Sequence, residues 1–388
     1  MRYEEFASVV TPAYVFATDE LCERIEKIRT LLGPGIRLVY AVKANPFLIG
    51  ALQPLVDALE VCSPGEMRIC EELGIPGEKL VLSGVHKDAE EFARIADRYG
   101  SSPVYTVESP AQMRLLDRIA RERGLTLRVL LRVSSGNQFG VDPDTLRSLL
   151  CERESYSALQ IRGLQLYSGT QKTAKTIRNE VGFLKELLET TREEAAFSIE
   201  ELEYGPGLAC SYFVNEEEIP VEETIAELRS ALSELSFPGQ ITLEMGRFLV
   251  ATCGYFATRI VDQKESGGRT WCIVDGGIHH LNYYGQTMAM KVPHMLCKPE
   301  GEAVSVAVCG SLCTVADVLV REVDLPDPQP QDLLVFTRVG AYSVTESIGL
   351  FLSRDLPRIY QYEEGRLSLL REALPTWRIN YGRIAGNP

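Results

Sequence analysis

Lys43 ends an apolar run, Leu38-Val39-Tyr40-Ala41-Val42, and Ala44-Asn45-Pro46 follows at once. The run reads as a buried strand closed by a turn. A lysine at such a strand end points its amine where the core opens. Partly desolvated there, the amine has a lowered pKa and can form a Schiff base with a carbonyl compound. Two further stretches suit an anionic group. Tyr204-Gly205-Pro206-Gly207 and Glu244-Met245-Gly246-Arg247 each continue an apolar run. Their glycines let backbone N–H groups approach phosphate oxygens, and Arg247 adds a charge-assisted donor. Glycine also serves turn geometry alone, so the pairing of both stretches with Lys43 carries the phosphate reading. Glu244 then has a role beside a pyridine nitrogen, where a carboxylate keeps the ring protonated. A salt bridge to Arg247 is the alternative for Glu244.

The elements that must position these residues alternate. Short apolar runs predict strands near 36–43, 58–63, 79–84, 103–107, 127–133, 161–168, 201–205 and 240–245. Helical patterns lie at 18–32, 65–74, 88–99, 109–123 and 174–194. Eight strand–helix repeats predict an α/β fold, a (β/α)8 TIM barrel over 17–250, with the site residues at strand C-terminal ends. After Val250 strands follow without long helices, near 253–262, 270–275, 303–308 and 332–338. They predict a C-terminal antiparallel β-sandwich or barrel. The strand-like Thr11–Phe16 joins it, so that domain is discontinuous, 1–16 with 251–388. Leu325-Pro326-Asp327-Pro328-Gln329-Pro330 is expected to be a loop between strands.

The net charge of −14 argues against nucleic acid and anionic membranes as partners. No apolar run approaches a membrane span, and Met1–Glu5 lacks a signal-peptide pattern. The ten cysteines are scattered, with no CxxC pair, and read as reduced thiols in a cytoplasmic chain. With four histidines and no ligand spacing, no metal site is expected.

Six segments in order resemble the fold-type III pyridoxal-phosphate decarboxylases, which include ornithine, arginine and diaminopimelate decarboxylases. Tyr40-Ala41-Val42-Lys43-Ala44-Asn45 is similar to the cofactor-lysine motif. Gly163-Leu164-Gln165-Leu166-Tyr167-Ser168-Gly169-Thr170-Gln171 matches the sixth-strand segment. Gly205 and Gly207 fall on the phosphate turn. Glu244-Met245-Gly246-Arg247 resembles Glu-Pro-Gly-Arg. Gly310–Asp317 fits the segment of the catalytic cysteine, here Cys313. Gly340-Ala341-Tyr342 matches a Gly-Ala-Tyr whose tyrosine reaches the cofactor phosphate. The resemblance implies pyridoxal 5'-phosphate held by Lys43, with Tyr167, Thr170, Gly205, Gly207, Glu244, Gly246, Arg247 and Tyr342 around it. It implies decarboxylation at Cα, with Lys43 or Cys313 returning a proton, in a homodimer with shared active sites.

The departures bear on the substrate. Tyr167 replaces the stacking histidine, and its ring can still cover the cofactor face. Thr314 stands where diamine-specific relatives carry an acid. Leu281-Asn282-Tyr283-Tyr284 replaces a stretch that supplies a substrate-binding arginine in diaminopimelate decarboxylases. The substrate is therefore expected to lack the usual distal charged group and to be an L-amino acid, or an amino acid that is modified or linked to a carrier protein. Thr314, Asp317 and Glu346 are candidate substrate contacts. Gly276-Gly277-Ile278-His279-His280 has no derivable role, and its histidines suit loop packing. A racemase and a catalytically inactive binding homologue remain alternatives. Cys313 and Glu244 argue against the first, and the retained Lys43 and Cys313 against the second.

Overall fold

The computed structural model describes residues 1–382. The chain divides into two compact units. One comprises Arg24–Ala209 and Ile219–Leu249. The other gathers Met1–Glu23, Cys210–Glu218 and the chain from Val250 onward. The expected division at 16/17 and 250/251 differs from this at two places. The helix Thr18–Leu32 is divided after Glu23, and Cys210–Glu218 groups with the later chain. Backbone and side-chain bonds explain the second difference. Val214 N donates to Val292 O at 3.0 Å, and Lys291 meets Glu216 at 3.1 Å.

Strand β1 (Ala13–Ala17) belongs to the second unit. The next eight strands form a closed parallel barrel in chain order: β2 (Ile36–Ala41), β3 (Ala58–Val61), β4 (Leu80–Leu82), β5 (Val104–Val107), β6 (Leu127–Val133), β7 (Leu159–Tyr167), β8 (Glu201–Gly205) and β9 (Gln240–Met245). β9 pairs back onto β2, with Val39 opposite Glu244. The strands are short, apolar and nearly all buried toward their C-terminal ends, as parallel strands covered by helices require. Five of the helices that follow start at a residue whose side chain caps them. Ser63, Asp88, Ser109, Asp142 and Thr173 each accept a backbone N–H three residues on, and Pro follows three of them. These starts fix where each strand's chain turns away from the barrel mouth.

The second unit carries one nine-stranded sheet. Its further strands are β10 (Gly254–Ser266), β11 (Arg269–Val274), β12 (Met295–Leu296), β13 (Ala303–Cys309), β14 (Val318–Pro326), β15 (Leu333–Thr337), β16 (Arg358–Glu363) and β17 (Arg366–Arg371). The expected C-terminal β domain is present as a mainly antiparallel sheet, with two parallel pairings, β1 with β16 and β11 with β13. β1 indeed joins this sheet, between β10 and β16. β14 runs through Leu325 and Pro326, so the proline-rich loop starts later than expected. A proline is tolerated there because β14 lies at the sheet edge. No helix among the described residues is long and apolar enough to cross a membrane.

Candidate active site

Lys43 lies in the single turn Val42–Ala44 that ends β2. Its ammonium meets Glu60 Oε2 at 2.5 Å and Glu244 Oε1 at 3.3 Å. Glu60 projects from β3 and Glu244 from β9, the two neighbours of β2. The two carboxyl groups thus face the same amine. Gln165, on β7, donates from Nε2 to Glu203 Oε1 on β8 at 2.6 Å and to Glu244 Oε2 at 3.4 Å. One amine therefore serves a group of three buried carboxyls.

Their protonation differs for physical reasons. Burial pushes Glu60 up, but the Lys43 charge and its hydrogen bond outweigh this and hold the group low. Burial and then the Glu60 charge push Glu244 up. Burial, followed by the charges of Glu244 and Glu60, pushes Glu203 up as well. The charged pair is thus Lys43 with Glu60, and Glu244 and Glu203 keep protons at pH values where an exposed glutamate has lost them.

The alternative for Glu244, a salt bridge to Arg247, is not among the ion pairs of the described residues. Glu244 turns to Lys43 and Gln165, while Arg247 Nε donates to Thr170 Oγ1 at 3.2 Å. Gly246 lets the two turns meet, since a Cβ there would stand 3.0 Å from Ala44 Cβ. Tyr167, at the end of β7, places its ring 5.6 Å from Lys43 Nζ. Gly205 is the floor for that ring, because a Cβ would come within 2.5 Å of Tyr167 Cδ2. Gly207, at φ 59°, leaves room for Gly169 O. The barrel unit thus brings Lys43, Tyr167, Thr170, Gly205, Gly207, Glu244, Gly246 and Arg247 to neighbouring strand ends.

The remaining expected residues sit in the second unit. Cys313 is exposed, in the turn between β13 and β14. Thr314 N donates to Leu312 O at 2.9 Å in the same turn. Asp317, expected to touch substrate, is buried and committed to the backbone. Its Oδ1 accepts from Ile278 N at 2.8 Å and its Oδ2 from Leu312 N at 2.7 Å. It clamps the Gly276–Ile278 segment to the cysteine turn. Asp317→Asn keeps one acceptor and loses the other, so stability is expected to fall by about 1–2 kcal/mol in a denaturant titration. His279 and His280 are buried with their rings tilted against each other at 3.7 Å between centroids, and His280 Nε2 lies 2.8 Å from Asp355 O. Tyr342 has a φ of 65°, a strained value for a residue with a Cβ. Glu346 is exposed.

Sequence reasoning passed over Glu60, Gln165 and Glu203. A signal was available for Glu60, the single polar residue in the apolar strand Ala58-Leu59-Glu60-Val61, whereas Gln165 and Glu203 share their strands with other polar residues. An acid buried at such a position is costly unless a partner waits for it.

A family model described as "Pyridoxal-dependent decarboxylase, pyridoxal binding domain" matches residues 18–251. The chain is similar to the L-glutamyl-[BtrI acyl-carrier protein] decarboxylase of Niallia circulans, with 25% identity over 93% of this chain and 91% of the relative. It is 28% identical to the diaminopimelate decarboxylase of Aquifex aeolicus over 96% of this chain and 90% of the relative. In structure it is similar to Helicobacter pylori diaminopimelate decarboxylase complexed with L-lysine, with a TM-score of 0.85 and 21% identity over 98% and 99% of the two chains.

The residues present fit pyridoxal phosphate. An amine, a protonated carboxyl and an aromatic ring lie together beside a glycine turn that a Cβ at Gly207 would fill. Gln165 Oε1 is buried beside Glu244 without a partner, an acceptor the protein alone leaves unmet.

Proposed function

The chain belongs to the pyridoxal-dependent decarboxylase family, and from that premise we propose that it decarboxylates a modified or carrier-linked amino acid. The observation that carries this reading is the Lys43 amine seated between Glu60 and Glu244 beside the glycine turn. Lys43 would hold the cofactor covalently. Gly205, Gly207, Thr170 and Arg247 would take its phosphate, together with Tyr342. Tyr167 would cover the ring. When bound, pyridoxal phosphate supplies an electron sink for the pair left at Cα as carbon dioxide departs. Glu244, which burial leaves protonated, has a proton to give to a ring nitrogen. Glu60 keeps a negative charge 2.5 Å from Lys43 Nζ and so favours a proton on that nitrogen. Lys43 Nζ and Cys313 Sγ are the two candidates to return a proton to Cα.

The substrate class rests on the cysteine turn. Asp317 is the one acid between Ser311 and Asp317, and both its oxygens accept backbone N–H groups. The turn therefore offers no carboxylate to a distal ammonium. The relative from Niallia circulans acts, by its name, on a carrier-linked glutamyl group. Carbon dioxide release should be followed over a panel of free and carrier-bound amino acids. Release from lysine, ornithine or diaminopimelate in preference to every modified substrate would sink the substrate class but leave decarboxylation standing.

We also propose a homodimer in which each subunit's cysteine turn completes the site of its partner. Val315 in that turn is fully exposed, and Met288 and Met290 of the same unit are 72% exposed. Apolar side chains left in water in this way suit a subunit contact. Arg247 gives a separate test of the phosphate site. Arg247→Ala is expected to weaken cofactor affinity by about 2 kcal/mol, the scale of a charge-assisted contact. Activity at saturating cofactor should fall less. An unchanged cofactor Kd would mean that Arg247 does not touch the phosphate.

A further inference from the structure

Lys172 has no role in the reading above, yet its environment is built. It follows β7 by a few residues, and its side chain is only 5% exposed. Its ammonium pairs with Glu180 Oε2 at 2.8 Å and donates to Gly205 O at 3.2 Å. Glu180 stands on the helix Ala174–Glu194 and accepts from Tyr204 Oη at 2.6 Å and from Ser168 Oγ. Lys172 N donates to Gly207 O at 3.0 Å, and the residue bridges Leu208. One residue thus holds both ends of the Gly205–Gly207 turn, through its side chain at one end and its backbone at the other.

The same ammonium lies 5.7 Å from the ring centroids of Tyr167 and Tyr204. Tyr167 is consequently flanked by two lysines, Lys43 at 5.6 Å and Lys172. No hydrogen bond orients its phenol among the described residues; contact with Gly205 and the two cations seat the ring. Burying a lysine is costly and lowers its basicity, which burial does here before Glu180 partly restores it. A cation kept at that cost, tied to a phosphate turn and an aromatic cover, has a positional task.

We propose that Lys172, with Glu180 as its counter-ion, is a positioning residue that sets the Gly205–Gly207 turn and the Tyr167 ring for the cofactor. The inference rests on the cofactor reading and deepens it. The side chain's donation to Gly205 O fixes how the turn's N–H groups point. Its charge also lies near the region where a phosphate would sit.

The test uses two probes on the full-length protein. Pyridoxine 5'-phosphate lacks the aldehyde and reports non-covalent contacts; pyridoxal lacks the phosphate. Lys172→Met is expected to weaken pyridoxine 5'-phosphate binding by about tenfold or more, with little change for pyridoxal. The visible circular dichroism of bound pyridoxal phosphate should fall per molecule bound, because the ring loses its fixed seat. Lys172→Arg should restore most of both signals. The single variant leaves Glu180 charged and unpaired, so Lys172→Met with Glu180→Gln is measured beside it, and thermal melts confirm that both fold. Equal affinity for pyridoxine 5'-phosphate and an unchanged dichroic band in the folded double variant would overturn the proposal. A wild-type protein that takes up no pyridoxal phosphate would overturn the cofactor reading with it.

Discussion

Lys43→Ala is expected to abolish covalent cofactor attachment and turnover, and to reverse the way the barrel's stability responds to pH. Borohydride reduction of the wild-type holoenzyme followed by peptide mapping should place the cofactor label on Lys43. A label on another lysine would sink the assignment. The stability effect follows from the charges around the amine. In the wild type Glu60 is held below its ordinary value of 4.5, to about 2. A carboxyl depressed by folding adds stability above its unfolded pKa and loses it as pH falls through the folded value. Glu60 therefore supports the fold at neutral pH and fails only in strong acid. Without Lys43 the burial that opposes ionisation loses its main counterweight, and the Glu60 pKa rises. The sign then inverts: stability is kept in acid and lost as pH rises through the new value. Leaving a buried charge without its partner costs on the order of 3 kcal/mol. Melting temperatures should show the variant losing ground to the wild type between about pH 5 and about pH 8. Parallel profiles would mean that water, reaching the partly exposed lysine, already screens the pair.

Mixing Lys43→Ala and Cys313→Ala proteins, each nearly inactive, is expected to restore activity once subunits exchange. In a two-fold dimer with shared sites, random pairing makes half the dimers mixed. Each mixed dimer holds one site with both residues intact, so recovery approaches roughly a quarter of the wild-type value. Cys313 is suited to such a task because its turn is exposed and carries an unburied valine at its tip. A site made within one chain restores nothing. No recovery despite proven exchange, followed by light scattering or a tagged subunit, would remove the shared-site model and leave the decarboxylase reading intact.

The barrel was legible because its strands are short apolar runs closed by turn residues. The expected and observed strands agree to within a few residues at every position from β2 to β9. The sheet of the second unit was less legible. β12, β14, β16 and β17 were missed: β12 has only two residues, the outer face of β14 is exposed at Arg321, Glu322 and Asp324, and β17 is exposed over most of its length. Neither β14 nor β17 shows the clean alternation that marks a half-buried strand. Within the site, residues with a local signature were found, such as the strand-end lysine and the glycine turns. Glu60, Gln165 and Glu203 carry no spacing that relates them to one another. They meet because a parallel barrel closes, and that convergence is set by strands far apart in sequence.

The seat of β1 in the middle of the second sheet has a consequence for biosynthesis. Tyr14, Val15 and Phe16 leave the ribosome before any strand of the barrel, and all three are buried in the finished protein. Their strand partners are Phe256, Tyr255 and Gly254 on one side and Ile359, Tyr360 and Gln361 on the other. The whole barrel is therefore translated while this strand has neither neighbour. During that interval it presents an apolar segment with unpaired N–H and C=O groups, the form of chain most prone to wrong association. Safe delivery of the nascent chain thus depends on β1 being shielded, as by a chaperone, until β10 and β16 emerge.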